Sequence, residues 1–213
     1  MTSETDSRSE PNFYPFVGDD YQKPKKFPKR LLVVGESHYL KKPEDDRPDF
    51  VRNLIVSVSK DHLMRGWRTR YYFHLFYLLT GKHGRDVEQS EWESVWHSLA
   101  FYNFVQTNRL DRPWMRPARD EWKKSIPPFK TVLADLEPEL VVLTGRLLSA
   151  YAARRGIETE GTIGVWLPTK LPAYAFTRCV NHPSSRQSRE LRQRQRELVK
   201  EMFERDWPVP ITA

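Results

Sequence analysis

Four short stretches carry the residues with chemistry to offer. They are Gly35-Glu36-Ser37-His38-Tyr39, Asn103-Phe104-Val105-Gln106, Gly145-Arg146 and Asn181-His182-Pro183-Ser184-Ser185. Together they supply a carboxylate, hydroxyls, imidazoles and carboxamides, groups that hold water, move protons and hydrogen-bond a polar ligand. Each position also has a purely structural reading. Gly35 permits a tight turn, Glu36 bonds backbone amides, Asn103 satisfies a neighbouring loop and His182 before Pro183 packs as a core imidazole. What favours a site is that all four stretches begin where an apolar run ends.

Those runs are Leu31 to Val34, Leu99 to Tyr102, Leu140 to Thr144 and Tyr174 to Val180. Short, continuously apolar and bounded by turn residues, they read as strands buried on both faces. Helical patterns lie between them: Arg68 to Thr80, Glu91 to His97, Arg119 to Leu136 with a break expected at Pro127-Pro128, and Leu147 to Arg155. A last one, Ser188 to Arg205, sets Leu191, Leu198, Val199, Met202 and Phe203 near one face. Strands alternating with helices predict an α/β fold, three-layer α/β/α around a central, mostly parallel four-stranded sheet. In such sheets ligands bind outside the carboxyl ends of the strands, where the four polar stretches fall. Residues 31–207 are expected to form the single domain, with a polar and basic tail over 1–30, anchored by Phe13, Tyr14 and Phe16, and a short tail over 208–213.

The chain has 213 residues, 35 Lys and Arg against 28 Asp and Glu, a net charge of +7 and one Cys. One thiol makes no internal disulfide and no multi-cysteine zinc site, so a reducing, cytoplasmic setting is expected. The first ten residues hold no apolar h-region and no apolar run approaches a spanning helix, so neither export nor a membrane partner is expected. Positive charge suits a polyanion without establishing one. Lys23 to Arg30 carries five cations and no acid, a solvated linker or a phosphate-contacting approach. Asn108 to Arg116 mixes cations with Trp114, a side chain suited to stacking on a base, wedging a gap left by one, or anchoring a loop. Arg189, Arg192 and Arg196 share their helix with Glu190, Glu197, Glu201 and Glu204, an ion-paired face, which leaves Arg186 as the expected phosphate contact.

In order along the chain, the strand ending Gly35-Glu36-Ser37-His38-Tyr39, then Phe101-Tyr102-Asn103, then Val141 to Gly145, then His182-Pro183-Ser184-Ser185 resemble the uracil-DNA glycosylase superfamily. The resemblance extends from about Leu31 to Arg205, with close matches only in these blocks. It implies a base-excision repair enzyme that binds DNA, needs no metal or cofactor, and hydrolyses the N-glycosidic bond of a flipped-out uracil or another deaminated or modified base. His182 would donate to the 2-oxygen of the departing base, whose negative charge needs a donor. Asn103 would read the base edge, since an amide donates and accepts at once. Tyr39 would block a 5-methyl group, Ser184 and Ser185 would hold backbone phosphates, and Gly35 and His38 belong to the same base-binding motif.

The first motif departs from the family. Ser37 stands where one branch has a water-positioning Asp and others Asn, and His38 stands where Pro is usual. Glu36 matches the second-position Glu of the iron–sulfur branch and is the motif's only carboxylate, so it is the expected water activator, with Ser37 orienting the water. The lone Cys179 excludes that branch's cluster. Two other readings stay open. One is a non-catalytic module that keeps the scaffold to bind nucleic acid or a nucleobase. The other is an esterase of the Gly-Asp-Ser type with Ser37 as nucleophile, Asn103 as oxyanion donor and His182 as base; there the position that should hold the orienting Asp is Cys179.

Overall fold

The computed structural model describes residues 9–38, 42–61, 69–107, 117–145, 159–160, 163–164, 176–180 and 188–204. The four apolar runs form strands β2 (Leu31–Ser37), β3 (Leu99–Val105), β4 (Leu140–Thr144) and β7 (Phe176–Val180), which pair parallel with one another. A two-residue strand, β1 (Phe16–Val17), adds antiparallel to β3, giving the order β1-β3-β2-β4-β7. Strands β5 (Thr159–Glu160) and β6 (Ile163–Gly164) pair separately. The helices are α1 (Phe50–Lys60), α2 (Thr69–Thr80), α3 (Gln89–His97), α4 (Arg119–Lys124), α5 (Ile126–Leu136) and α6 (Arg189–Glu204). Among the described residues no helix is long and apolar enough to cross a membrane.

Strand alternation sends successive side chains to opposite faces. Leu31, Val33, Phe101, Leu140 and Val142 join an apolar cluster with α1, α2, α3 and α6. Leu32, Val34, Tyr102, Val141 and Leu143 join a second cluster with α4 and α5. Strands buried on both sides explain why their sequences are apolar without alternation.

Three expectations are corrected. The helix over 119–136 breaks at Ser125, whose hydroxyl donates to the Glu121 carbonyl at 2.7 Å. Pro127 and Pro128 instead lie in the first turn of α5, where a missing N–H forfeits no intrahelical bond. In α6, Val199 and Met202 are buried while Leu191 is exposed. Residues 9–30 are more than an anchored tail: Phe13 and Phe16 are buried as expected and Tyr21 and Phe27 join them, whereas Tyr14, expected as an anchor, is exposed. This segment runs antiparallel along β3, Phe13 N–H donating to Gln106 Oε1 at 2.8 Å near one end and Gly18 N–H to the Leu99 carbonyl at 3.0 Å near the other. It covers a sheet edge that would otherwise expose unpaired backbone groups.

β2 is central. The chain leaves it for β3 on one side and crosses back to β4 on the other, so the topological switch point lies between β2 and β4. β2 stays paired with β3 as far as Ser37 opposite Val105, but its register with β4 stops at Val34 opposite Leu143. In open α/β sheets ligands bind in a crevice at the carboxyl edge beside such a switch point.

Candidate functional site

Two pairings meet at this edge. Asn103 lies opposite Gly35, and Thr144 follows Leu143, the β4 residue opposite Val34. Thr144 in turn lies opposite Val180, the last residue of β7. Gly35 has no side chain, and the Asn103 carboxamide fills the space: a Cβ added at Gly35 would overlap Asn103 Oδ1 and meet Phe101 Cζ at 3.4 Å. Glycine is therefore required here for close approach, while its φ is unexceptional.

Asn103 is buried, and its backbone carbonyl accepts a 2.6 Å bond from Gln106 Nε2. Gln106 is itself tied down: its side-chain oxygen accepts from Phe13 N–H, its carbonyl accepts from Asn12 Nδ2 at 2.9 Å, and its N–H donates to Ser125 Oγ at 3.2 Å. The N-terminal segment thus reaches Asn103 through one buried glutamine.

On the far side of Gly35, Thr144 Oγ1 donates to the Val34 carbonyl at 3.0 Å and lies 3.0 Å from the Tyr71 hydroxyl of α2. Burial pushes the Tyr71 phenol well above its ordinary value, with the Thr144 bond opposing only in part, so it stays protonated.

Glu36 alternates to the opposite face of β2 from Gly35, and both Glu36 and Ser37 are half-buried. The Glu36 carboxylate lies beside Gly145: its Oε2 would be 3.6 Å from a Cβ there, and the Gly145 φ of +134° already disfavours any L side chain. Glu36 and Asn103 thus belong to opposite faces of the sheet at the same edge. His38 is buried, edge-on to Phe13 at 3.9 Å between ring centroids and 6.2 Å from Phe50, and so links the N-terminal segment to the motif.

Tyr39, His182, Ser184, Ser185 and Arg186 lie outside the described residues, as do Asn108 to Arg116 and the helix expected over 147–155. The basic segment from Lys23 to Arg30 lies at the other end of β2, where Lys25 pairs with Asp20 at 2.8 Å and Arg30 N–H donates to Glu139 Oε2 at 2.9 Å. A seven-residue strand spans roughly 20 Å, which separates these cations from the crevice. Thr144 and Tyr71 are the site-bordering residues that sequence reading passed over, whereas Gln106 ends the second polar stretch. Thr144 was legible only as the end of an apolar run and Tyr71 only as one aromatic in a core helix. No family model and no curated protein matches the chain.

Proposed function

We propose that the protein is a DNA N-glycosylase of the uracil-DNA glycosylase type, built on a three-layer α/β/α scaffold, that removes a deaminated or modified base. The observation that carries this reading is the Asn103 carboxamide lying over Gly35 at the switch-point crevice. An amide buried at the end of a strand, with a glycine beside it, is suited to pair with the edge of a planar polar ring.

In this reading the target nucleotide leaves the stack and enters the crevice, because its glycosidic bond is unreachable inside a duplex. Asn103 reads the base edge, and Tyr39 limits bulk at the 5-position. Water held by Glu36, with Ser37 orienting it, attacks C1′ of the deoxyribose. The N-glycosidic bond breaks, its electron pair leaves on the base, and the water proton passes to the Glu36 carboxylate. His182 donates to the departing base where its charge develops. Ser184, Ser185 and Arg186 hold the flanking phosphates.

A specific observation favours a second reading. Glu36 leaves β2 on the opposite face from Asn103, an arrangement that serves a non-catalytic base-binding module equally well. The esterase reading draws no such support: Cys179, where its orienting Asp belongs, is an internal residue of β7 opposite Leu143. The deciding experiment incubates the full chain with single- and double-stranded oligonucleotides carrying uracil, hypoxanthine, xanthine or hydroxymethyluracil, followed by alkaline cleavage at abasic sites. Cleavage on at least one substrate is expected. No cleavage on the whole panel, alongside salt-sensitive DNA binding, selects the module.

A further inference from the structure

We propose that Tyr71 is a positioning residue for the carboxyl-edge site, acting through Thr144 on the peptide that joins Val34 to Gly35. The activity arm of this inference rests on the glycosylase reading; its structural arm does not. The argument begins with proton counting. Thr144 Oγ1 carries one hydrogen and gives it to the Val34 carbonyl, which can only accept. Towards Tyr71 the threonine oxygen must therefore accept, so Tyr71 is the donor in the 3.0 Å contact. The relay has one direction: Tyr71 O–H to Thr144 O–H to the Val34 carbonyl.

Its location gives it a task. The Val34 carbonyl belongs to the same planar peptide as the Gly35 N–H, and Val34 is where the register with β4 stops. Beyond it β2 has β3 as its described partner, as far as Ser37. Gly35 lacks a side chain of its own to lock it, and the two residues after it are the proposed water-holding pair. Tyr71 itself is set by rings on both sides, edge-on to Tyr72 at 5.1 Å and to Phe101 at 6.2 Å. Phe101 precedes Asn103 by two positions and also borders Gly35. The Val34–Gly35 peptide is thus held from α2 through Thr144. On its other flank the Asn103 backbone carbonyl is held from the N-terminal segment through Gln106.

Tyr71→Phe removes the donor and keeps the ring. Thr144→Val removes the relay and keeps the shape, while Thr144→Ser keeps the hydroxyl. Two readouts are taken on each full-length variant: steady-state excision of whichever panel base the wild type releases, and amide hydrogen exchange of the Gly35–Ser37 segment. Tyr71→Phe and Thr144→Val should lower kcat by roughly 10- to 100-fold, as small misplacements of reacting groups do. KM for the oligonucleotide should stay constant and exchange at Gly35–Ser37 should quicken. Thr144→Ser should restore both. If the wild type excises nothing, the functional reading fails and the exchange arm alone decides the positioning role. Unchanged exchange in Tyr71→Phe and Thr144→Val overturns the proposal, whatever the activity does.

Discussion

The two ends of the central strand use polar residues in opposite ways. At the amino end, before Leu31, charges neutralise one another on the surface, Lys25 with Asp20 and Arg30 with Glu139, and His97 Nδ1 lies 3.0 Å from Asp19 Oδ2. The backbone there closes on itself, the Arg30 carbonyl accepting from both Glu139 and Leu140 N–H at 3.0 Å. At the carboxyl end the polar groups are largely uncharged and buried, and they bond to backbone: Gln106 to Asn103, Thr144 to Val34. Among the described residues there, Glu36 sets its carboxylate beside Gly145. Pairing exposed ions stabilises little, whereas ordering buried amides and hydroxyls around a strand end fixes geometry. The difference separates the end that closes the sheet from the end proposed to bind.

Two glycines offer the sharpest way to break this comparison. A Cβ at Gly18, near the amino end of β3, would overlap backbone of Trp96 and His97, whereas one at Gly35 would overlap the Asn103 side chain. Either alanine should destabilise by about 1–3 kcal/mol, as overpacking does. Gly35→Ala should also cut excision by about 10²-fold per folded molecule, because Asn103 must move. Gly18→Ala should leave excision per folded molecule unchanged. Thermal melts paired with single-turnover excision separate the two, and equal losses of activity would erase the distinction.

An intermediate effect concerns pH. Burial raises the phenol pKa of Tyr21 at the amino end, of Tyr71 at the carboxyl end and of Tyr102 between β3 and α5. A folded-state pKa above the unfolded value of about 10 means stability is fully present below that pH and is lost as pH rises through it. Tm should hold level to about pH 9.5 and fall beyond it. Tyr21→Phe and Tyr71→Phe should each soften the fall; an alkaline limb identical to wild type in both would contradict the burial argument.

The smallest effect belongs to the amino-end cations. Lys25→Ala and Lys26→Ala should leave both Tm and the salt dependence of DNA binding nearly unchanged, with no more than about 1 kcal/mol for the exposed Lys25–Asp20 pair. Arg186→Ala should lower the salt slope by about 1. A comparable drop from Lys25→Ala would place nucleic acid at the amino end and reverse the comparison.

The sheet was legible in the sequence because strands buried on both faces leave uninterrupted apolar runs. Helix α1 was not, since Phe50, Val51, Ile55 and Val58 are β-branched or aromatic and reveal their shared face only once buried. The segment before Leu31 read as a tail because its buried aromatics are spaced singly among polar residues, each finding its partner in β3, α5 or α6. For the site, Gly35, Glu36 and Asn103 stood out as polar residues ending apolar runs. Thr144 and Tyr71 did not, because a hydroxyl relay between residues 71, 144 and 34 depends on strand register across the switch point, which no local pattern encodes.

The central claim is that Asn103, lying over Gly35, reads the base to be removed. Its most direct test follows single-turnover excision from one uracil-containing single-stranded oligonucleotide by the wild type and by Asn103→Ala, with binding of the same oligonucleotide measured by fluorescence anisotropy. Wild-type cleavage, a loss of about 10²–10³-fold in Asn103→Ala, and near-equal binding by both are predicted. Equal cleavage by both proteins, or a loss in Asn103→Ala that lies wholly in DNA binding, would contradict it.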